Sequence, residues 1–364
     1  MHRAIFLQGT LRLIIRPDGP ILIKAGESGS GDPTLPDMQF VRTKRSVPDG
    51  SGAMSSQGAI YLPGPSLKGV VRAHCERICR TLDGEDLQER KLQRRRMLDE
   101  AAGISIPDQR VPLADNPLGE GRRYKGLEDM DYSSGRAIEA IGDEIARHPD
   151  RTAVVYRRSS FVSQMFGHTA LAGRVRFADA YGQNVVTEER NGVAIDRVYG
   201  SVAVGPFNYE TVVAGEFPTR IDFKNVTLAQ LGLLGLALRD LAEGRIALGF
   251  GKSRGLGRVT ATFESLEIHY PVCELDGAVL QMLDGSVRLP AGHFGGLGAF
   301  GGDAYRAYDL PAHDTVLLPE GVSLTPEEPF GVWLRAIGGE HVRAFWKACM
   351  PAWKREIGLS DTQG

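Results

Sequence analysis

Residues 249–257 read GFGKSRGLG, four glycines and two cations between a helix-like run (228–243) and a strand-like run (258–269). Glycines this dense in a short connection mean backbone at φ > 0, or backbone lying against something that leaves no room for a Cβ. Lys252 and Arg254 suggest that this something is anionic, because successive backbone N–H groups in such a loop form an anion-binding concavity. The ordinary alternative is a solvated turn with two exposed charges. Counting tests two nucleotide loops. A Walker loop ending at Gly251-Lys252-Ser253 needs glycine at position 246, which is Ile246. A dinucleotide fingerprint from Gly249 needs glycine where Arg254 stands, and it should open a helix. Both fail.

Working outward, residues 227–243 predict a helix whose Leu228, Leu231, Leu234, Leu238 and Leu241 share one face. Upstream, 173–181 and 205–213 read as strands, with a hairpin-like stretch at 191–204 between them. A helix is expected to begin at Ser66, a competent N-cap after Pro63-Gly64-Pro65. Its buried stripe is Leu67, Val71, Cys75, Ile78 and Leu82. Residues 4–16 alternate as a half-buried strand. The order strand, helix, two strands, helix, strand is that of an α+β, ferredoxin-like βαββαβ core, the plan of RNA-recognition modules. Residues 84–160 read as a helical insertion, with helices at 86–102 and 133–147. The composition shifts after Tyr270, so the expected organisation is a core of 1–270 and a C-terminal extension, 271–364.

A connection as long as 17–65 is either disordered or functional, and the functional reading is favoured because it gathers Asp32, Asp37, Arg42, Lys44 and Arg45. Lys68 and Arg72 project from the first turns of the Ser66 helix, where free N–H groups favour phosphate. A basic run, Arg90, Lys91, Arg94, Arg95 and Arg96, is either a solvated helix face or a contact with RNA or a neighbour. His74, Cys75 and Cys79 lack a second metal-binding pair, so they read as core. A net charge of −2 argues against a freestanding protein that coats nucleic acid by bulk charge. Four scattered cysteines and no apolar leader predict a reducing cytoplasm, and no run is long enough to span a membrane.

Four collinear stretches resemble the RAMP superfamily, the RNA-binding subunits of CRISPR effector complexes. They are LPGPSLKGVVR (62–72), MFGHTALAGRVRFADA (165–180), AIDRVYGSVAVGPFNYE (194–210) and GFGKSRGLGRV (249–259). The likeness is greatest to the repeating backbone subunits of type III complexes, type III-D among them. That resemblance implies a subunit that polymerises on crRNA, meets copies or paralogues of itself, and displaces bases of the guide–target duplex with a thumb. It also implies metal-dependent cleavage of target RNA by an acidic loop residue. LPDMQFVRT (35–43) is similar to the family's catalytic loop and places Asp37 on the catalytic aspartate, with Asp32 the second candidate. The implied cofactor is a divalent cation, Mg²⁺ by preference, with no metal ligand assigned beyond Asp37. The implied guide contacts are Lys68, Arg72, Gly251, Lys252, Ser253, Arg254 and Gly255, with Arg42, Lys44 and Arg45 near the catalytic loop. The implied thumb (191–207) carries Asp196, Arg197 and Tyr199.

This chain departs from the pattern in two places. The segment 196–207 is shorter than the family's long thumb, and the loop before Ser66 is longer. Two other readings remain open: a non-catalytic RNA-binding or capping subunit, and a phosphate-ligand enzyme that uses the glycine loop on a small nucleotide.

Overall fold

A computed structural model of the chain describes residues 4–25, 36–43, 58–116 and 132–359. Asp32, Lys44 and Arg45 lie outside the described residues. The frame is built from β1 (Gln8–Pro17), α1 (Gly64–Leu82), β2 (Val175–Phe177), β3 (Gln183–Ile195), β4 (Val202–Lys224), α2 (Leu228–Ala242) and β5 (Val259–Tyr270). To these the chain adds β6 (Val322–Pro326), β7 (Val332–Ile337) and α3 (Gly339–Glu356). One antiparallel sheet runs β6-β7-β5-β1-β4-β2, and β3 pairs with β4 off that path. The fold is therefore mixed α and β on antiparallel strands.

Alternation along β1 explains the layering. Leu11, Leu13 and Ile15 are buried, with Ile221 and Leu266 opposite Leu11 on the two neighbouring strands. Side chains two apart on a strand share a face, so these residues form the floor on which the helices pack. The leucines expected on the inner face of α2 are all buried there. Its first turn is closed by a capping box, Thr227 with Gln230, which satisfies N–H groups that a helix start leaves unpaired. The start of α1 differs from expectation. It lies at Gly64 rather than Ser66, with Pro63 as N-cap and Pro65 in the first turn. Proline tolerates that position because its missing N–H would have had no helical partner. The Asp179 carboxylate accepts the Gly64 N–H at 2.7 Å and fixes this end beside the strand edge.

The hairpin expected at 191–204 and the separate strand at 205–213 are one feature. β3 and β4 hold 13 and 23 residues, and β4 passes without a break from the hairpin turn into the central sheet. The second helix of the insertion is divided at Ile141 into Ser134–Ala140 and Gly142–Arg147. Two further short helices follow, Arg151–Arg157 and Phe161–Phe166. Residues after Tyr270 continue the sheet, since β7 pairs with β5. The Trp346 ring lies where a Cβ on Gly235 of α2 would come within 2.7 Å of it, so α3 approaches α2 closely. Cys75, Cys79, Cys273 and Cys349 are free and buried.

Asp314 ties that C-terminal region to α2. It is buried and accepts the Leu228 and Gly298 N–H groups, each at 2.9 Å. Burial pushes its carboxyl up to about 7, against the two N–H donors that favour the charge. The folded state thus holds this proton more tightly than the unfolded chain. Its contribution is complete below the unfolded pKa and is lost as pH rises through the folded one. The slope is on the order of 1 kcal/mol per pH unit between about pH 4 and pH 7. Urea midpoints measured across that range are expected to fall with pH, and Asp314→Asn is expected to flatten the decline.

Candidate nucleic-acid interface

Gly249, Gly251, Gly255 and Gly257 all adopt positive φ, between 71° and 95°. At two of them glycine is also required by contact. A Cβ on Gly249 would sit 2.1 Å from the Leu22 carbonyl oxygen, and one on Gly257 would sit 2.2 Å from that of Leu248. The loop is therefore clamped. Leu248 N–H donates to Gly257 O, Phe250 N–H to Leu22 O, and Gly257 N–H to Pro20 O. Lys252, Ser253 and Arg254 form a single 3₁₀ turn that stands exposed on this clamp. Desolvation and the nearby Arg77 charge both lower the Lys252 ammonium from its ordinary value, which marks a local concentration of positive charge.

A clash with backbone has to be relieved by moving the loop, whereas positive φ alone costs about 1–2 kcal/mol for an alanine. Gly257→Ala is expected to cost on the order of 2–4 kcal/mol. Gly255→Ala, where nothing lies within 4 Å of the new Cβ, should cost only about 1 kcal/mol. Paired urea titrations check the contrast, and equal losses at the two sites would remove the clamp argument.

The ribbon at residues 20–25 joins this loop to the acidic loop. On one side it accepts the glycine-loop bonds just given. On the other, Ile21 exchanges backbone hydrogen bonds with Val212 of β4, each at 2.9 Å. It also pairs with the next strand of chain, through Val41 N–H to Ile23 O and Ala25 N–H to Gln39 O. Lys24 lies 5.0 Å from the Phe250 ring centroid and Arg254 lies 5.8 Å from it, so two cations gather at one aromatic ring.

Asp37 sits where β4 leaves the ribbon. Its Oδ2 accepts the Asn208 N–H at 2.9 Å, while Met38 is held between Asn208 O and the Glu210 N–H. The carboxylate is exposed, and among the described residues it has no second hydrogen bond. Arg42 is placed otherwise than the sequence implied. Its guanidinium grips Glu210 with two hydrogen bonds, and Glu210 also accepts the Phe40 N–H at 3.1 Å. Burial would raise the Glu210 carboxyl, but these hydrogen bonds and the Arg42 charge hold it below its usual value. Arg42 thus fastens the acidic loop to β4.

Lys68 and Arg72 have neighbours other than the glycine loop. Arg72 is committed within the protein, to Glu76 at 2.9 Å, to the Gly167 carbonyl at 2.9 Å and to Ser163. Lys68 is half-buried, and desolvation, then the Arg72 and Arg176 charges, lower its ammonium. Arg77, about two and a half turns beyond Lys68 on α1, is the helix residue whose charge reaches Lys252. At the hairpin tip, Asp196 Oδ1 accepts the Val198 and Tyr199 N–H groups and is held low by them. Arg197 lies within that turn and is exposed, and Val198 and Tyr199 are 81% and 84% exposed, with Ile195 and Val202 also bare.

Sequence reasoning missed Lys24, Phe250, Arg77, Arg176 and the anchoring carboxylates Asp179 and Glu210. Phe250, Arg176, Asp179 and Glu210 all stand inside the quoted stretches, whereas Lys24 and Arg77 lie outside them. The basic run of the insertion is largely ion-paired, and Arg90, Arg94 and Arg96 stay exposed. Lys91 meets Glu356, Arg94 meets Asp309, Arg96 meets Asp108, and Arg95 is buried. His74 binds Asp240 at 2.8 Å, and among the described residues no group of three or more His, Cys, Asp or Glu side chains is placed to hold a metal. Among those residues no helix is long and apolar enough to cross a membrane. In comparison with known proteins, the family model of the RAMP superfamily matches residues 17–260. A search of curated proteins finds no match.

Proposed function

Because the chain belongs to the RAMP superfamily, we propose that it is a crRNA-binding backbone subunit of a type III CRISPR effector complex, and that it cleaves the paired target RNA. The observation that carries this reading is one continuous hydrogen-bonded surface. It joins the exposed Lys252–Arg254 turn, the 20–25 ribbon, the bare Asp37 carboxylate and the root of the hairpin. Positive charge, a carboxylate and a projecting thumb then face RNA together. We read β5-β1-β4-β2, with α1 and α2 on one face, as a ferredoxin-like unit. The chain's partners in this reading are crRNA, target RNA and other subunits of the complex, in the cytoplasm.

The chemistry asks little of the protein. RNA carries its own nucleophile in the 2′-OH, so alignment, charge relief at the phosphate and proton transfer are what remain to supply. Lys24, Lys252 and Arg254 offer charge to phosphates. Asp37, fixed through one oxygen, has the other available to accept a proton or to hold a hydrated cation. A single carboxylate fits Mg²⁺, which keeps most of its waters, and it does not fit a caged transition metal. When bound, the cation would supply Lewis-acid stabilisation of the developing charge.

The test uses the assembled complex and labelled complementary RNA. Regularly spaced products in Mg²⁺ that vanish in EDTA are expected; no cleavage by the parental complex makes the chain a scaffold. The Lys252→Ala/Arg254→Ala double variant should weaken RNA binding and reduce the salt slope by about 0.7 for each phosphate it no longer neutralises. A non-catalytic RNA-binding subunit is the second reading. It draws on Arg42, whose charge is committed to Glu210 and not offered to a phosphate.

A further inference from the structure

Outside that surface, the helix Glu85–Ala101 carries a buried face on which Arg95 and Asp99 stand one turn apart. Both oxygens of Asp99 are taken. Arg157 donates to Oδ1, and Arg158 donates to Oδ2 at 3.0 Å. Arg95 is only 5% exposed, and its Nε and Nη2 are buried with no hydrogen-bond partner among the described residues. Three buried guanidinium groups therefore lie close together, and only Arg157 and Arg158 are bonded to the Asp99 carboxylate. An uncompensated buried charge is strongly unfavourable, so such a group implies a counter-ion.

Arg95 lines a cavity of about 420 Å³ between the insertion, α2 and α3, and Arg157 lines it too. That volume lies within the range of small-molecule sites, about 300–1,000 Å³. Among the described residues, six Lys or Arg side chains border the cavity against three carboxylates. Two of those carboxylates are already matched, Glu356 by Lys91 and Asp309 by Arg94. The third is Asp314, whose protonation burial favours. Desolvation lowers the Arg95 guanidinium to about 10, so it remains a cation at neutral pH. None of the glycine-loop residues borders this space.

We propose that this cavity is an anion site for a phosphate monoester no larger than a mononucleotide, with the phosphate received by Arg95 and favoured by the neighbouring Arg157 charge. A planar guanidinium with two open donors matches two phosphate oxygens, and desolvated charge-assisted hydrogen bonds of this kind are the strong ones. Arg94, 58% exposed and also on the cavity wall, stands at the entrance. The phosphate has two possible sources, a free nucleotide or the terminus of an RNA.

Calorimetry and thermal shift on the full chain test the site, with inorganic phosphate, AMP, adenosine, and an oligoribonucleotide bearing a 5′-phosphate or a 5′-hydroxyl. AMP is expected to bind and raise the melting temperature, and adenosine to do neither. Arg95→Met should weaken AMP at least tenfold without loss of fold, since it replaces an unpaired buried charge by an apolar chain. Arg94→Glu, at the exposed entrance, should weaken it comparably and guards against misfolding of the first variant. Displacement of AMP by the 5′-phosphorylated oligonucleotide alone identifies an RNA end as ligand, and no displacement identifies the free nucleotide. If phosphate, AMP and the phosphorylated oligonucleotide all fail to bind at millimolar concentration, or if both variants bind AMP like the parent, the proposal is overturned. AMP carries one phosphate and cannot report the extended RNA surface, so this result is independent of the cleavage assay.

Discussion

Asp37→Ala is expected to reduce target-RNA cleavage by about 10²–10⁴-fold while leaving RNA affinity within about twofold of the parent. That loss corresponds to about 3–5 kcal/mol of barrier. The separation of the two effects follows from where the side chain sits. Asp37 is exposed, and its one hydrogen bond is to the Asn208 N–H. The acidic loop is held instead by backbone pairing of Met38 to β4 and by the Arg42–Glu210 grip. Deleting the carboxylate thus removes one solvent-facing hydrogen bond, about 1 kcal/mol of stability at most. Single-turnover cleavage by the assembled complex, with filter binding in parallel, reads both quantities. Asp37→Asn is informative beside it, because an amide keeps an acceptor for Asn208 and loses the charge. Parental cleavage rates in Asp37→Ala would move the chemistry to Asp32 or to another subunit.

Asp99→Ala should be the most destabilising single substitution in the insertion, at about 3–5 kcal/mol. The side chain is small, but what it leaves behind is not. Arg157 and Arg158 are buried and directed at its two oxygens, and Arg95 lies one turn before it. Desolvation already depresses Arg157, with Asp99 the main group supporting its charge and Arg158 acting against it. Without Asp99 the three cations face one another in a medium that screens poorly. The insertion is the region expected to open first, since Ile106, Ile138, Ile141, Ile145 and Val154 form an apolar cluster separate from the main core. Urea unfolding followed by hydrogen exchange locates the loss. A change below about 1 kcal/mol would mean that water, not Asp99, balances these guanidinium groups.

The parts of this protein legible in its sequence are those encoded by neighbours in the chain. Leucines at 228, 231, 234, 238 and 241 announce a helix because a helical face repeats locally. The glycine loop announces itself because four positive-φ residues in nine positions leave little else to place there. Charge was harder to read. Arg42 looked available to RNA because its partner, Glu210, is 168 residues away. The run Arg90–Arg96 could not be divided between solvated and contacting residues because Glu356, Asp309 and Asp108, which pair with three of its members, belong to other segments. Arg72 was expected at a phosphate, and the Gly167 carbonyl that holds it is likewise distant in sequence. The same holds for the C-terminal strands. β7 is an ordinary alternating segment until β5 is there to pair with it.

The strand that forms one arm of the hairpin also forms part of the sheet. β4 runs from Val202 beside the exposed tip to Lys224, which is paired with Gln8 in the middle of the sheet. At about 3.3 Å per residue, the 13 residues of β3 give that arm a reach of about 40 Å. Mechanically, this is a cantilever whose beam continues into its own wall. A load applied at Tyr199 is passed along β4 and met as shear by the ladder to β1, so the tip cannot be deflected far without the core registering it. In the filament proposed for such subunits, strain met by a tip against a duplex would be borne by the rigid centre of its own protomer, and not by the contacts between neighbours.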